Sequence, residues 1–226
     1  LFSPTLGKIT ATARGVRKPT SKIGGHLDPL TRSSLTLARG RNLDTITAAD
    51  TLQAFLPVKN TLERLSRALY LAELVGALNP LEAPNPPGYA LLLEGLVGLG
   101  SEADPDLLLR YLELQMLAHA GFLPEFHQCV ECHATLEPGG HFFSPEAGGV
   151  LCPRCRSLRG DATHLSVEAL KVLRYLSLAT RESAGRLRII QPLHRELASL
   201  VGGYLRHVLE REVRSAAFLE HLRERW

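Results

Sequence analysis

Apolar and polar positions alternate with period two near the start of the chain and recur at helical spacing from about Thr51 onward. Ile9, Ala11 and Ala13 alternate with Thr10, Thr12 and Arg14, the pattern of a half-buried strand. The stretch Gly15 to Gly25 is rich in Gly, Pro and Ser and predicts a loop. Leu35 and Leu37 alternate with Thr36 and Ala38 in a second strand. Arg39-Gly40-Arg41-Asn42 predicts a turn, and Leu43 to Thr47 a third strand. Three strands are too few to close a barrel. The alternation also begins almost at once behind Leu1-Phe2-Ser3-Pro4, without an earlier partner strand. The expectation is that the native start of the protein is missing.

Beyond Thr51 the pattern is helical. Leu62, Leu65, Leu69 and Ala72 share one face, with Glu63, Arg64, Arg67 and Glu73 among them. Asn79-Pro80 ends that helix, because proline disfavours helix at the residue before it. Asn85-Pro86-Pro87-Gly88 reads as a loop and Tyr89 to Leu99 as a short apolar helix. Asp104-Pro105 is a helix start, with a carboxylate to cap and a proline in the first turn. From there to Ala120 the chain is apolar nearly all round, as in the buried centre of a bundle. After an interruption at 122–163, Ser166 is placed to cap a helix from Val167 to Thr180. Pro192 opens a further one running to Leu222, whose last part, with Glu210 and Glu212, is dense in mixed charge and solvated. The fold class is α+β and mostly helical.

Composition adds bounds. The 226 residues, 45% hydrophobic and 22% charged, fit one or two ordinary globular domains of about 100–150 residues each. The longest apolar stretches, Leu69 to Leu78 and Leu91 to Leu99, contain Glu73 and Glu94 and fall short of the ~20 residues that span a bilayer. With no basic-then-apolar leader in view, the expected compartment is the cytosol. The charge is uneven. Residues 1–41 carry eight Lys and Arg against Asp28 alone, a net +7, whereas residues 42–226 carry 18 basic and 22 acidic residues, a net −4. A basic module on a mildly acidic body points to a polyanionic partner, most commonly nucleic acid. The bland alternative is a solvated surface that keeps the module soluble.

All four cysteines lie in the interruption, as Cys129-x2-Cys132 and Cys152-x2-Cys155 separated by nineteen residues. That spacing fits a tetrahedral zinc site, in which each pair grips one edge of the metal. His141-Phe142-Phe143 and Val150-Leu151 flank turn residues, so a hairpin brings the pairs together. Four thiolates leave no open position for water, so the expected Zn2+ is structural, one per chain. His127, His133 and His141 stand nearby as substitute ligands that a four-cysteine set makes unnecessary. Leu151 rather than proline precedes Cys152, and no His-x-Glu stands upstream, which excludes the zinc nucleobase deaminases. Arg154, Arg156 and Arg159 surround the second pair and either extend a basic face or are simply solvated.

Signatures of catalysis are missing. There is no P-loop, no dinucleotide fingerprint and no nucleophile elbow. Residues 1–49 hold only two acids, Asp28 and Asp44, too few for a magnesium-dependent nuclease. His194 and His207 are isolated. The reading is a binding protein that is not an enzyme. Residues 3–54 contain no Phe, Tyr or Trp, so base stacking is not available there, and phosphate contact by Arg and Lys remains.

Gly7-Lys8-Ile9, Ala13-Arg14-Gly15-Val16-Arg17-Lys18-Pro19-Thr20-Ser21-Lys22 and Leu35-Thr36-Leu37-Ala38-Arg39-Gly40-Arg41-Asn42-Leu43 resemble the N-terminal signature of the bacterial RecO family of recombination mediators. The order of parts is similar over nearly the whole chain. The resemblance implies a partial OB-fold, basic and DNA-binding, at 1–52. It implies a helical domain at 53–226, interrupted by a zinc-ribbon-like insertion at 126–159. It also implies a non-enzymatic mediator that binds single- and double-stranded DNA and anneals strands. Such a mediator pairs with RecR, contacts the C-terminal tail of single-strand binding protein, and so helps load RecA. Its place is cytoplasmic and nucleoid-associated, with no membrane contact. Carried over position by position, DNA contact falls on Lys8, Arg14, Arg17, Lys18, Lys22, Arg39 and Arg41, and metal binding on Cys129, Cys132, Cys152 and Cys155. About two strands that family members carry before Leu6-Gly7-Lys8 are absent here. The alternative function is a protein-interaction adaptor with a structural zinc site, in which DNA binding is incidental.

Overall fold

The computed structural model describes residues 1–223 apart from 17, 19, 20 and 212. The chain divides into two units, one built on Leu1–Ser101 and the other on Glu102–Glu224.

The first unit opens with a minimal hairpin of β1 (Phe2–Ser3) and β2 (Gly7–Lys8). It continues into a three-stranded sheet of β3 (Ala11–Thr12), β4 (Arg32–Ala38) and β5 (Asp44–Gln53), ordered β3-β5-β4. The alternation around Ile9 thus becomes two short strands rather than one. β3 runs parallel to β5 and β4 antiparallel to it. β4 alternates as its sequence requires, with Ser33, Leu35 and Leu37 turned inward and Arg32, Ser34, Thr36 and Ala38 outward. β5 does not alternate. Thr36 faces Ala48 but Leu37 faces Ile46, so Thr47 is an extra residue, and this bulge lets Ile46 and Ala49 both be buried. A second irregularity, at Leu52, carries the strand to Gln53, beyond its expected end at Thr47. The β4–β5 turn needs glycine at its second position. A Cβ on Gly40 would sit 1.9 Å from the Leu43 carbonyl oxygen, and the Gly40 amide donates to Asp44 Oδ1 at 3.0 Å.

Three helices complete this unit: α1 (Leu56–Lys59), α2 (Leu62–Leu78) and α3 (Pro86–Ser101). Thr61 caps α2 by accepting from the Arg64 amide. Leu71, Leu74 and Leu99 are fully buried where α2 packs on α3. α2 stops before Asn79-Pro80 as expected, and α3 begins three residues earlier than its apolar run.

The second unit is built around α4 (Pro105–His119), capped by Asp104, whose carboxylate accepts from the Leu107 amide at 2.9 Å. Every residue from Leu107 to Leu114 is buried. The two charged members of that run, Arg110 and Glu113, bond to each other at 2.7 Å. Next come β6 (His141–Ser144), β7 (Gly149–Leu151) and β8 (Thr163–Leu165), a three-stranded sheet with β6 in the middle. β8 is an element the sequence pattern does not announce. Helices α5 (Val167–Leu178), α6 (Arg181–Ala184), α7 (Gln191–Leu209) and α8 (Arg214–Arg223) follow. α4 packs against α5, α6 and α7.

Two helix limits differ from the sequence reading. α5 ends at Leu178, and Thr180 starts the separate turn α6. The long helix expected from Pro192 to Leu222 breaks at Glu210, which adopts left-handed φ of 50° and closes α7. Glu210 is therefore a helix end rather than a mid-helix residue, and Glu212 lies outside the described residues. Among the described residues no helix is long and apolar enough to cross a membrane.

Candidate metal centre and nucleic-acid interface

The four cysteines meet because two short segments are knitted together by backbone hydrogen bonds. Glu125 starts the first segment. Its carboxylate accepts from the amides of His127 at 2.6 Å and Gln128 at 3.1 Å, which turns the chain into the first pair. The His127 amide foremost holds the Glu125 carboxyl below its usual range, against a smaller opposing effect of burial. Within the pair, the His133 amide donates to the Cys129 carbonyl at 2.8 Å and the Cys129 amide to the Ala134 carbonyl at 2.9 Å. His133 takes φ of 57° to make this turn. In the second pair the Cys155 amide donates to the Cys152 carbonyl at 3.0 Å.

The Val130 amide donates to the Val150 carbonyl at 3.0 Å and the Cys152 amide to Cys129 Sγ at 3.4 Å, which joins the pairs. This approach demands glycine at 149, where a Cβ would lie 2.6 Å from the Glu125 carbonyl oxygen. All four Sγ atoms lie within 4.8 Å of one another, and those of Cys132 and Cys152 are 3.8 Å apart. A tetrahedron of thiolates about 2.3 Å from a central ion has edges of roughly 3.8 Å, so the set can hold one metal ion. Cys129, Cys152 and Cys155 are buried and Cys132 is exposed.

The thiols are also prepared electrostatically. Burial raises the Cys129 pKa, but the amide hydrogens of Cys132, Cys152 and Glu131 outweigh it and bring the thiol down to about 6. Burial likewise opposes ionisation of Cys152, and the Cys155 amide together with hydrogen bonds from the Cys155 and Cys132 thiols outweighs it, so the thiol lies below its usual value. Cys155 is pushed up to about 12, first by its hydrogen bond with the Cys152 sulfur and then by burial. Closely spaced thiols share protons in this way until a cation replaces them. Of the three histidines noted nearby, His127 and His133 are exposed, while buried His141 places Nε2 2.7 Å from the Glu137 carbonyl oxygen. The cluster among the described residues consists of the four cysteines alone.

Several supporting residues carry no sequence signal of their own. Glu131, inside the first pair, binds Arg159, beyond the second, at 2.5 Å. Asp161 accepts from the Ser144 hydroxyl at 2.8 Å and the Glu146 amide at 2.9 Å, which fixes the β6–β7 turn. Burial acts to raise the Asp161 carboxyl, and these bonds pull it below its usual range instead. Arg174 Nε on α5 donates to the Phe126 carbonyl at 2.8 Å, and Tyr204 on α7 donates its hydroxyl to the Phe122 carbonyl at 2.9 Å. The element is thereby held by the helices around it.

The basic residues expected to contact DNA fall into two groups. Arg14 and Lys18 lie in the turns after β3, Lys22 in the approach to β4, and Arg39 and Arg41 in the β4–β5 turn. All five are exposed, and none forms an ion pair among the described residues. The sheet register aligns Thr12, Thr45 and Ala38 in one row, with β5 between β3 and β4, and because those two outer strands run in opposite directions Arg14 and Arg39 follow it towards opposite ends of the sheet. Arg17 lies outside the described residues. Lys8 is engaged within the fold. It is half-buried, and Nζ donates to the Gly76 carbonyl at 2.5 Å in the last turn of α2. Of the isolated histidines, His194 Nε2 sits 3.2 Å from Asp104 Oδ2, and His207 is exposed on α7.

Comparison with known proteins agrees with this arrangement. Residues 1–55 match the family described as Recombination protein O N terminal, and residues 59–217 that described as Recombination protein O C terminal. The DNA repair protein RecO of Dehalococcoides mccartyi is 40% identical over 223 residues, covering 99% of this chain and 88% of that protein. The DNA repair protein RecO of Roseiflexus sp. is 41% identical over 219 residues, covering 97% and 77%. That of Pelotomaculum thermopropionicum is 35% identical over 220 residues, covering 97% and 85%. With both family matches and these identities over nearly its whole length, the chain belongs to the RecO family of DNA repair proteins.

Proposed function

We propose that the chain is a non-enzymatic DNA-binding and strand-annealing mediator of recombinational repair, acting in the cytoplasm at the nucleoid. Residues 1–52 form a partial OB-fold that meets DNA, and residues 53–226 form the helical domain with its zinc-bearing insertion at 126–159. The observation that carries this reading is the set of exposed cations Arg14, Lys18, Lys22, Arg39 and Arg41 on the small sheet module, without an ion pair among the described residues. Arg17, between two of them in sequence, is assigned a DNA contact with them from its sequence position. Lys8 serves the fold instead, since its ammonium is engaged by Gly76.

The mechanism is charge neutralisation. Two phosphodiester strands repel, and cations that bind both reduce that repulsion while raising the local strand concentration. Phosphate contacts of this kind fix position without reading sequence, which suits a mediator that acts on any gap. The tetrathiolate cluster holds Zn2+ with no free coordination position, so the ion stabilises the insertion and carries no chemistry. The partners are single- and double-stranded DNA, RecR and the C-terminal tail of single-strand binding protein, with RecA loading as the outcome.

Titration of a fluorescent single-stranded oligonucleotide across a salt series tests the reading. Binding that weakens linearly in log–log form with salt is the expected result. Capture of single-strand binding protein with no DNA binding at any salt concentration overturns it in favour of an adaptor.

A further inference from the structure

Phe142 lies at the centre of β6, paired across the sheet with Leu151 on β7 and His164 on β8. The Arg156 guanidinium carbon sits over the Phe142 ring, 5.0 Å from its centroid. The His164 ring meets Phe142 edge-on, with centroids 5.9 Å apart and planes at 87°. Arg156 and His164 are both exposed. The segment from Pro153 to Arg159 holds three arginines and no acid, and the acid that faces it, Glu131, is already bound to Arg159. Arg154 and Arg156 remain exposed without a carboxylate partner among the described residues.

We propose that Arg156, held over Phe142 with His164 edge-on to the same ring, is a base-stacking platform for single-stranded nucleic acid. The Arg156 guanidinium is held over the ring by cation–π attraction, and the residue is exposed, so the side of the group away from the ring is offered to solvent. That outer face is planar and cationic, the surface on which an unpaired base stacks. Arg154, exposed two residues earlier in the chain, supplies a phosphate contact. A duplex hides its base faces, so the platform selects single strands. The requirement is otherwise unmet in the basic module, where residues 3–54 have no aromatic side chain. The inference rests on the DNA-binding reading above, but on different residues. A purely structural account, in which Arg154 and Arg156 offset the negative charge of a metal-loaded thiolate cluster, needs their charge and not the planar group.

Arg156→Lys separates these accounts, because it keeps the charge and removes the plane. The full chain, with metal content checked, is titrated with oligothymidylate and with an abasic strand of equal length. The platform predicts that Arg156→Lys weakens oligothymidylate binding about five- to tenfold, the loss of roughly one stacked base, and leaves the abasic strand unchanged. Phe142→Leu gives the same selective loss if its metal content and folding are retained. Quenching of 2-aminopurine in the wild-type complex falls in both variants. Equal affinity of wild type and Arg156→Lys for oligothymidylate overturns the platform while leaving salt-dependent DNA binding intact. Equal loss on both strands overturns it in favour of a guanidinium contact to phosphate rather than to a base. A wild-type chain that binds no strand at all removes the function reading and the platform together.

Discussion

The Lys8 ammonium donates to the Gly76 carbonyl at the end of α2, 68 residues away in the chain. The last four carbonyls of a helix lack intrahelical partners and carry partial negative charge, so a lysine there is both donor and counter-charge. The contact is backed by the neighbouring main chain. The Glu82 amide donates to the Lys8 carbonyl at 2.8 Å, and Gly7, at φ of 69°, passes so close to Ala83 that a Cβ would meet its carbonyl oxygen at 2.0 Å. Gly7-Lys8 is therefore a clasp between the β1–β2 hairpin and the α2–α3 connection.

Replacing Lys8 with Met removes the donor while keeping the aliphatic stem. The expected cost is about 1–2 kcal/mol of stability, as for a part-buried charged hydrogen bond at a helix end. It is read as a lower unfolding midpoint in denaturant. The slope of log affinity against log salt for DNA should not change.

The cysteine cluster makes a second prediction. Cys132→Ser removes one of four sulfurs from a set that lies within 4.8 Å. Metal content, measured by elemental analysis, should fall from about one per chain towards zero, since structural zinc sites depend on a complete ligand set. Amide exchange should rise across 126–159 and stay slow in α4. Retained metal together with unchanged exchange would count against a metal clip.

Acid should loosen the start of α4. Burial acts to raise the Asp104 carboxyl, but its bonds to His194 and to the Leu107 amide prevail and hold it below its usual value. A folded-state pKa lowered in this way adds stability above the unfolded-state value, which is near 4. That contribution fades as pH falls through the lower folded-state value. Asp104→Asn keeps a capping oxygen but no titrating charge, so its stability should vary less than wild type between about pH 5 and pH 2. Parallel acid dependence in the two proteins would contradict the assignment.

Much of this architecture is legible in the sequence, and the exceptions have physical causes. The Asp104-Pro105 start, the stop before Pro80 and the paired cysteines are local signals, and each appears where the sequence puts it. β5 runs longer than its alternation suggests because its bulge places Ile46 and Ala49 three residues apart on one face, a spacing that mimics a helix. β8 is three residues long, too short for a period to show. The break at Glu210 falls in a run of good helix formers with no glycine or proline to mark it. The role of Lys8 is invisible in the sequence because its partner lies on a distant helix. The placement of Arg156 over Phe142 is hidden for the same reason, since the two residues meet only once β6 and the second cysteine turn are in place.

The central claim is that exposed cations of the small sheet module grip the sugar-phosphate backbone. Its most direct measurement is the salt slope of single-stranded DNA binding in wild type and in the Arg14→Ala, Lys18→Ala, Arg39→Ala triple variant. The three positions lie in exposed turns, so the fold should survive. The account predicts weaker binding and a slope shallower by roughly two, about 0.7 for each phosphate of a single strand that is no longer neutralised. An unchanged slope and affinity would contradict it.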